Sequence, residues 1–319
     1  MIDISVRDGI MGLVVGDALG VPYEFLSRSS MKANPVQTMI GGGTHGQLPG
    51  TWSDDSSLTL CLLDSLSSGV NNKDIMEKFV EWLETASYTP YGRVFDIGIT
   101  TQTAIQKYRS GTPPLKCGGN NKYDNGNGSL MRILPFIYYY AIKNHDQPLC
   151  LGDYLPAMHN VSALTHRHPI SLMACGYYGL FVHAILTEKN APIDSLQNAI
   201  MAGMEYYNSI KKYSEYVQLF NRIYELDALM RLSEKKIHST GYVLSTLEAA
   251  LWCYLNTDNY PDCVKMAVNL GNDTDTVAAV AGSLAGINYG YDGIPAEWLS
   301  LIPRRQWIEG LCLKITDCN

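Results

Sequence analysis

The sequence predicts an all-α protein, and three observations carry the prediction. About a dozen segments repeat their apolar residues with the 3.6-residue period of a helix. No stretch sustains the period-two alternation of a half-buried strand. Apolar residues make up 46% of the 319 and charged residues 17%, which suits a chain with a large core. Two short acidic clusters, Ser53-Asp54-Asp55-Ser56 and Asp273-Thr274-Asp275-Thr276, each open an apolar helix and lie near opposite ends of the chain. They read as partners, so residues 1–319 are expected to form a single domain.

Taken in order, Ile4 to Ala18 is the first helical stretch, apolar at Ile4, Val6, Ile10, Leu13, Val14 and Ala18. Its Gly9, Gly12 and Gly16 each cost roughly 1 kcal/mol of propensity, which is tolerable where another backbone packs close. Pro22 and Glu24 fall in an irregular segment. Residues 28–52 are aperiodic, with loop signals at Gly41-Gly42-Gly43 and Pro49-Gly50. Ser53 then reads as an N-cap with Asp54 and Asp55 in the first turn of a helix that stops at Gly69. Asn71 to Ala86 is amphipathic, and Thr100 to Arg109 is shorter, ended by Gly111 and two prolines. A glycine- and asparagine-rich loop, Lys116 to Gly128, opens into a helix expected to begin at Ser129. Leu164-Thr165-His166-Arg167-His168-Pro169 leads a very apolar helix from Ile170 to Leu186. Pro192 to Tyr207 and Ser214 to Met230 are more charged helices, and the polar 187–240 region reads as a peripheral insert. Thr240-Gly241-Tyr242 leads a helix to Tyr254, and Tyr260 to Leu270 precedes the second acidic cluster. The small-residue helix after it runs to Ile287, and Trp298 and Trp307 mark short C-terminal helices.

Composition excludes several classes. A net charge of -7 offers no basic footprint, so nucleic acid is not an expected partner. The eight cysteines (61, 117, 150, 175, 253, 263, 312 and 318) show no CxxC spacing, which argues against the usual zinc site. Met1-Ile2-Asp3-Ile4-Ser5 has neither the basic region nor the apolar core of a signal peptide. No stretch of about twenty residues reads as apolar enough to span a bilayer. A cytoplasmic protein with reduced thiols and no membrane contact is expected.

The chemistry lies in the clusters. Aspartate, serine and threonine oxygens are hard donors that suit Mg²⁺, Mn²⁺ or Ca²⁺. The positive end of a helix dipole repels cations, so Asp54, Asp55, Asp273 and Asp275 must supply the compensating charge; four carboxylates balance two divalent ions. Either cluster alone is an ordinary capped helix start, and it is their pairing that suggests metal. Gly126-Asn127-Gly128-Ser129 before a helix would present backbone N–H groups to a phosphate, with Arg132 one turn in. His166 and His168 flank Arg167; a histidine here is capping or catalytic.

Gly16-Asp17-Ala18-Leu19-Gly20 with Pro22 and Glu24, Trp52-Ser53-Asp54-Asp55-Ser56, Gly126-Asn127-Gly128-Ser129-Leu130-Met131-Arg132, Leu164-Thr165-His166 and Gly271-Asn272-Asp273-Thr274-Asp275-Thr276 occur together in this order. The ordered set resembles the ADP-ribosylglycohydrolase family, across residues 4 to 290. The resemblance implies a compact orthogonal helical bundle and a binuclear centre of two Mg²⁺ (or Mn²⁺) ions. Its ligands by motif match are Ser53, Asp54 and Asp55 on one side and Asp273, Asp275 and Thr276 on the other. Many relatives carry threonine where this chain has Ser53; the hydroxyl is kept. Glu24 matches the family's acid near the metal, and Glu24 or Asp55 would act as the base. Asn127, Gly128, Ser129 and Met131 match the loop that holds the diphosphate and its ribose, and His166 a histidine against the nucleotide. Asp124 stands where the arginine-specific branch carries an acid for the guanidinium.

The expected activity is therefore metal-dependent hydrolysis of the C1″ glycosidic bond between ADP-ribose and an acceptor, arginine on an ADP-ribosylated protein before others, releasing ADP-ribose. Such bonds break through an oxocarbenium-like transition state. Two alternatives stand beside it: hydrolysis of a free derivative such as O-acetyl-ADP-ribose, and an immunity protein that docks on a cognate ADP-ribosyltransferase or toxin.

Overall fold

The computed structural model describes residues 4–316; Cys318 and the first three residues used above to argue against a signal peptide lie outside them. Twelve helices of ten or more residues account for most of the described chain. They are α1 (Val6–Gly20), α2 (Asp54–Leu66), α3 (Asn72–Thr85), α4 (Ile99–Arg109), α5 (Leu134–Lys143), α6 (Leu151–Ala163), α7 (Pro169–Thr187), α8 (Ile193–Asn208), α9 (Val243–Leu255), α10 (Tyr260–Asn269), α11 (Thr274–Tyr289) and α12 (Arg305–Thr316). No strand occurs among the described residues, only three isolated bridges. The all-α expectation holds.

The axis of the molecule is the antiparallel pair α1 and α11. Every residue of α1 except Arg7 is buried, so an apolar stripe on one face would not suffice and the helix is apolar nearly all round. Its glycines set the spacing. A Cβ on Gly12 would stand 2.3 Å from Gly282 O, and one on Gly16 would stand 2.2 Å from Ala278 O. The small residues of α11 meet them in kind, so the two backbones touch. The propensity lost at those glycines is thus offset by close packing along the whole helix. The same contact carries the second acidic cluster to the middle of the fold.

Helix α7 is long and apolar enough, by length and composition, to cross a membrane, against the sequence expectation. It is instead covered by its neighbours: 83% of its most apolar window is buried, under α6, α8 and α9. A helix buried on all faces needs the same composition as one in lipid.

Two other expectations fail for local reasons. No helix starts at Ser129. Residues 128–132 form successive turns, and α5 begins only at Leu134. Pro135 explains this: a helix from Ser129 would put proline in its interior, where it lacks an N–H and clashes with the preceding turn. The Ser214–Met230 stretch is likewise not one helix; it divides into a 3₁₀ segment, Val217–Tyr224, and a short helix, Leu226–Met230. The Gln197 side chain replaces the helical bonds at the break, donating to Tyr224 O and accepting from Leu226 N, both at 2.7 Å. The break lets Phe220, Ile223, Leu226 and Leu229 all turn inward. All seven cysteines among the described residues are free thiols.

Candidate active site

Three helix ends converge at one cleft. The C-terminal turn of α1 meets the N-termini of α2 and α11. Asp17, in the last turn of α1, caps α2: its carboxylate accepts from Ser53 N (2.9 Å), Ser56 N (3.0 Å) and Ser56 Oγ (2.5 Å). Burial still pushes the Asp17 carboxyl up to about 6, against those bonds. On the other side Thr274 Oγ1 donates to Gly20 O (2.8 Å), fixing the start of α11 to the end of α1. Gly271 and Asn272 both sit in the left-handed region (φ 75° and 63°), and this turn aims the chain from α10 into α11.

The two acidic clusters meet as the sequence suggested. Thr276 Oγ1 reaches Asp55 Oδ2 at 3.4 Å across 221 residues of sequence. Ser53 Oγ donates to the same Oδ2 at 3.0 Å. One carboxylate oxygen from each of Glu24, Asp273 and Asp275 lies within 4.8 Å of the other two. Asp54, Asp55, Asp273, Thr276 and Glu24 line the cleft, and Asp275 is fully buried behind them. Three oxygens of this set, both of Asp275 and Oδ1 of Asp55, are buried with no hydrogen-bond partner. Unpaired buried carboxylate is costly, so the site asks for positive charge. Burial first and the neighbouring acids second push Asp54, Asp55 and Asp275 well above the usual carboxylate range. Burial, then Asp96, raises Glu24 to about 9. Hard oxygen donors that are orphaned, and whose proton affinity rises for want of positive charge, are a fit for Mg²⁺ or Mn²⁺.

The far wall carries the glycine loop. Gly126, Asn127, Gly128 and Met131 line the cleft, with His166 behind the glycines. Asn127 Nδ2 donates to Asp273 Oδ2 (2.8 Å) and Thr246 Oγ1 (2.9 Å), so this residue orients an acid of the cluster. A Cβ on Gly128 would stand 2.9 Å from His166 Cε1, which keeps the loop flush on the ring. His166 Nδ1 bonds Thr165 Oγ1 (2.9 Å), and burial lowers the imidazole to about 3, so it is neutral.

Some expected residues are elsewhere. Ser129 is fully buried; its hydroxyl bonds Ser162 Oγ (2.9 Å) and contacts Cys175. Arg132 also turns inward, stacking on Phe79 and donating to Thr165 Oγ1 (2.8 Å) and Val161 O (3.2 Å), so it does not serve the phosphate cradle. Asp124 does not line the cleft; its Oδ2 accepts from Asn121 N (2.8 Å) and Nδ2 (2.9 Å). On this side of the cleft the helix N-terminus is that of α4, where Gly98, Ile99, Thr100 and Thr101 form the wall and no side chain caps the first N–H groups.

Two residues that sequence reasoning missed stand in the site. Asp96, in an aperiodic stretch with φ 54°, brings a fifth carboxylate to the cleft wall. His45, from the loop before α2, bonds Glu24. Neither lies in a periodic segment, and Asp96 and His45 are single polar residues in loops, so no pattern marked them. The cleft measures about 260 Å³. A larger cavity of about 540 Å³ lies at the opposite end of α1, around Arg7, Asp8 and Tyr291, and gathers no comparable carboxylate cluster.

The ADP-ribosylglycohydrolase family model matches residues 4–318. This chain is a member of that family. It is 33% identical over 315 residues to the ADP-ribosylarginine hydrolase Tri1 of Serratia proteamaculans, covering 96% of this chain and 77% of that one. It is 31% identical to the ADP-ribosyl-[dinitrogen reductase] glycohydrolase of Rhodospirillum rubrum, with 91% and 87% covered. A solved ADP-ribosylglycohydrolase-related protein complex superposes with a TM-score of 0.78 at 30% identity, covering 98% of this chain and 97% of its own. The resemblance drawn from the ordered motifs was to the right family, and the all-helical single domain is that family's fold.

Proposed function

We propose that this glycohydrolase cleaves the C1″–N bond of ADP-ribosyl-arginine on a modified protein, with two Mg²⁺ (or Mn²⁺) ions held by Ser53, Asp54, Asp55, Asp273, Asp275 and Thr276. The observation that carries the reading is the set of orphaned buried oxygens on Asp55 and Asp275 in a cleft already crowded with acids. When bound, the ions supply Lewis acidity and the positive charge the cleft lacks.

The chain's own groups divide the remaining work. Asp55 belongs to the proposed ion ligands, whereas Glu24 lines the cleft outside that set, so Glu24 is the better proton acceptor once bound cations displace the proton that burial and Asp96 hold on it. Glu24 takes a proton from water as its oxygen bonds C1″; the C1″–N bond breaks, and the proton passes to the leaving guanidine, which departs as guanidinium. Glu24 thereby returns to its starting state. The backbone of Gly126 and Gly128 and the first N–H groups of α4 face the cleft from two sides, and would hold the diphosphate. Asp96 on the wall offers the acceptor cation a carboxylate, the role the sequence had assigned to Asp124. An acidic mouth and relatives named for ADP-ribosylarginine favour arginine over serine or acid acceptors.

The test is a panel of arginine-, serine- and glutamate-linked ADP-ribosyl peptides, with and without Mg²⁺. Release of ADP-ribose from the arginine peptide alone, abolished by EDTA and by Asp54→Ala, is expected. Full activity in EDTA, or turnover confined to the serine peptide, refutes the reading.

A further inference from the structure

The segment behind Glu24 reads in sequence as an aperiodic loop, yet it is built as a clamp. Gly42 N donates to Gln47 O (2.6 Å) and closes a tight turn. Gly43, in the left-handed region at φ 62°, lies so close to Pro22 that no side chain fits between them. Next to it, Thr44 N donates to Pro22 O (3.2 Å), and Thr44 Oγ1 donates to Glu24 O (2.5 Å). The turn is therefore bonded to the backbone on both sides of Tyr23. His45 completes it: Nε2 and Glu24 Oε2 share a hydrogen bond of 2.5 Å. The imidazole packs against Phe25 and Phe95, at ring-centroid distances of 6.0 and 5.2 Å. Phe25 adopts φ 65°, an uncommon conformation for a bulky residue, and it puts the ring on the histidine. Gln47 Nε2 donates to His45 O (3.0 Å) and holds the backbone at this point.

We propose that His45 is a positioning residue for Glu24: its imidazole holds Oε2 from behind and leaves Oε1 to the cleft. This rests on the reading of Glu24 as the proton acceptor. A glutamate carboxylate free on an irregular segment samples several rotamers, few of them aimed at the cleft. The backbone bonds from Thr44 fix the Cα, the bond from His45 fixes the carboxylate, and the two phenyl rings fix His45 itself. Misplacing a reacting group by about 1 Å costs on the order of a hundredfold in rate. The loss falls on the chemical step, since neither His45 nor the turn lines the cleft.

The experiment is a double-mutant cycle on Mg²⁺-loaded enzyme with ADP-ribosyl-arginine peptide. His45→Ala is expected to lower kcat ten- to a hundredfold with KM and Mg²⁺ affinity within twofold. His45→Gln, whose amide N–H reaches a similar position, is expected to recover most of the rate. Added imidazole should restore His45→Ala, because the gap between Phe25 and Phe95 accepts it. In a Glu24→Gln background, His45→Ala should cost nothing further and imidazole should do nothing. An equal loss in both backgrounds overturns the proposal, as does a loss carried by KM or metal affinity. If Glu24→Gln abolishes turnover while His45→Ala is fully active, positioning by His45 is refuted and the reading of Glu24 survives. If Glu24→Gln keeps full kcat, both fall.

Discussion

Replacing Asp275 by asparagine should stabilise the metal-free protein. Both oxygens of this carboxylate are buried and unpartnered, so the substitution forfeits no hydrogen bond. It does remove one member of a trio that brings one oxygen from each acid within 4.8 Å of the other two. At an effective dielectric constant of about 20, two unit charges at that separation repel by about 3 kcal/mol. Burial and the neighbouring acids raise the proton affinity of Asp275, so part of that repulsion is already relieved by protonation. About 1–2 kcal/mol remains to be gained, and the new amide can donate to the neighbouring carboxylates. With an unfolding entropy of about 2.1 cal/mol/K per residue, this raises the Tm by roughly 2–3 °C. Mg²⁺ should stabilise the wild type by a separate route, through binding to the native state. At a hundred times its Kd a ligand stabilises by about 2.7 kcal/mol, or roughly 4 °C here, and the asparagine variant should lose most of that gain. Differential scanning calorimetry in EDTA and in Mg²⁺ measures both. If the variant melts below the wild type in EDTA, or keeps the full Mg²⁺ shift, Asp275 is a structural acid and the metal reading fails.

The pH dependence has a definite sign. Glu24 titrates near 9 in the folded state and near 4.3 unfolded, so between those values the folded state binds more protons. Metal-free stability therefore falls as pH rises from 7 to 9, and the Mg²⁺-induced rise in Tm grows over the same range as protons cease to compete; melting curves at pH 7, 8 and 9 check both. Gly20→Ala would bring a Cβ to 2.4 Å from Asp275 Cα. Overpacking of this kind costs about 1–3 kcal/mol, and the displaced carboxylate should weaken Mn²⁺ binding, by calorimetry, at least tenfold. Arg28 donates to Leu270 O, Glu234 O and Ile237 O at 2.6–2.8 Å, and so ties two segments to the turn before α11. Its replacement by alanine should cost about 3 kcal/mol in urea unfolding, with unchanged kcat in the surviving folded fraction.

Periodicity made the long helices legible, because a buried stripe must recur with the turn of the helix. The pairing of Ser53-Asp54-Asp55 with Asp273-Thr274-Asp275-Thr276 was legible too, since acids before apolar helices need a partner of opposite charge. The helix start behind the glycine loop was misplaced for a reason visible at Pro135: the loop looks like a helix entry until the proline's register is counted. Asp17 lay in a recognised motif, but its task as the cap of α2 depends on a residue 36 positions away. Asp96, His45 and Arg28 act from irregular segments, through contacts that no spacing rule encodes.

The antiparallel contact of α1 with α11 also governs when the enzyme can exist. The first helix waits for a partner some 260 residues downstream, and closing so long a loop precedes any gain from the packed glycines. Until the last quarter of the chain leaves the ribosome, a helix apolar nearly all round lacks its principal partner and can meet only α2 and α5. Synthesis thus exposes an apolar segment first and completes the acidic cluster last, so fragments ending before residue 274 should bind no metal and should depend on chaperones to stay unaggregated.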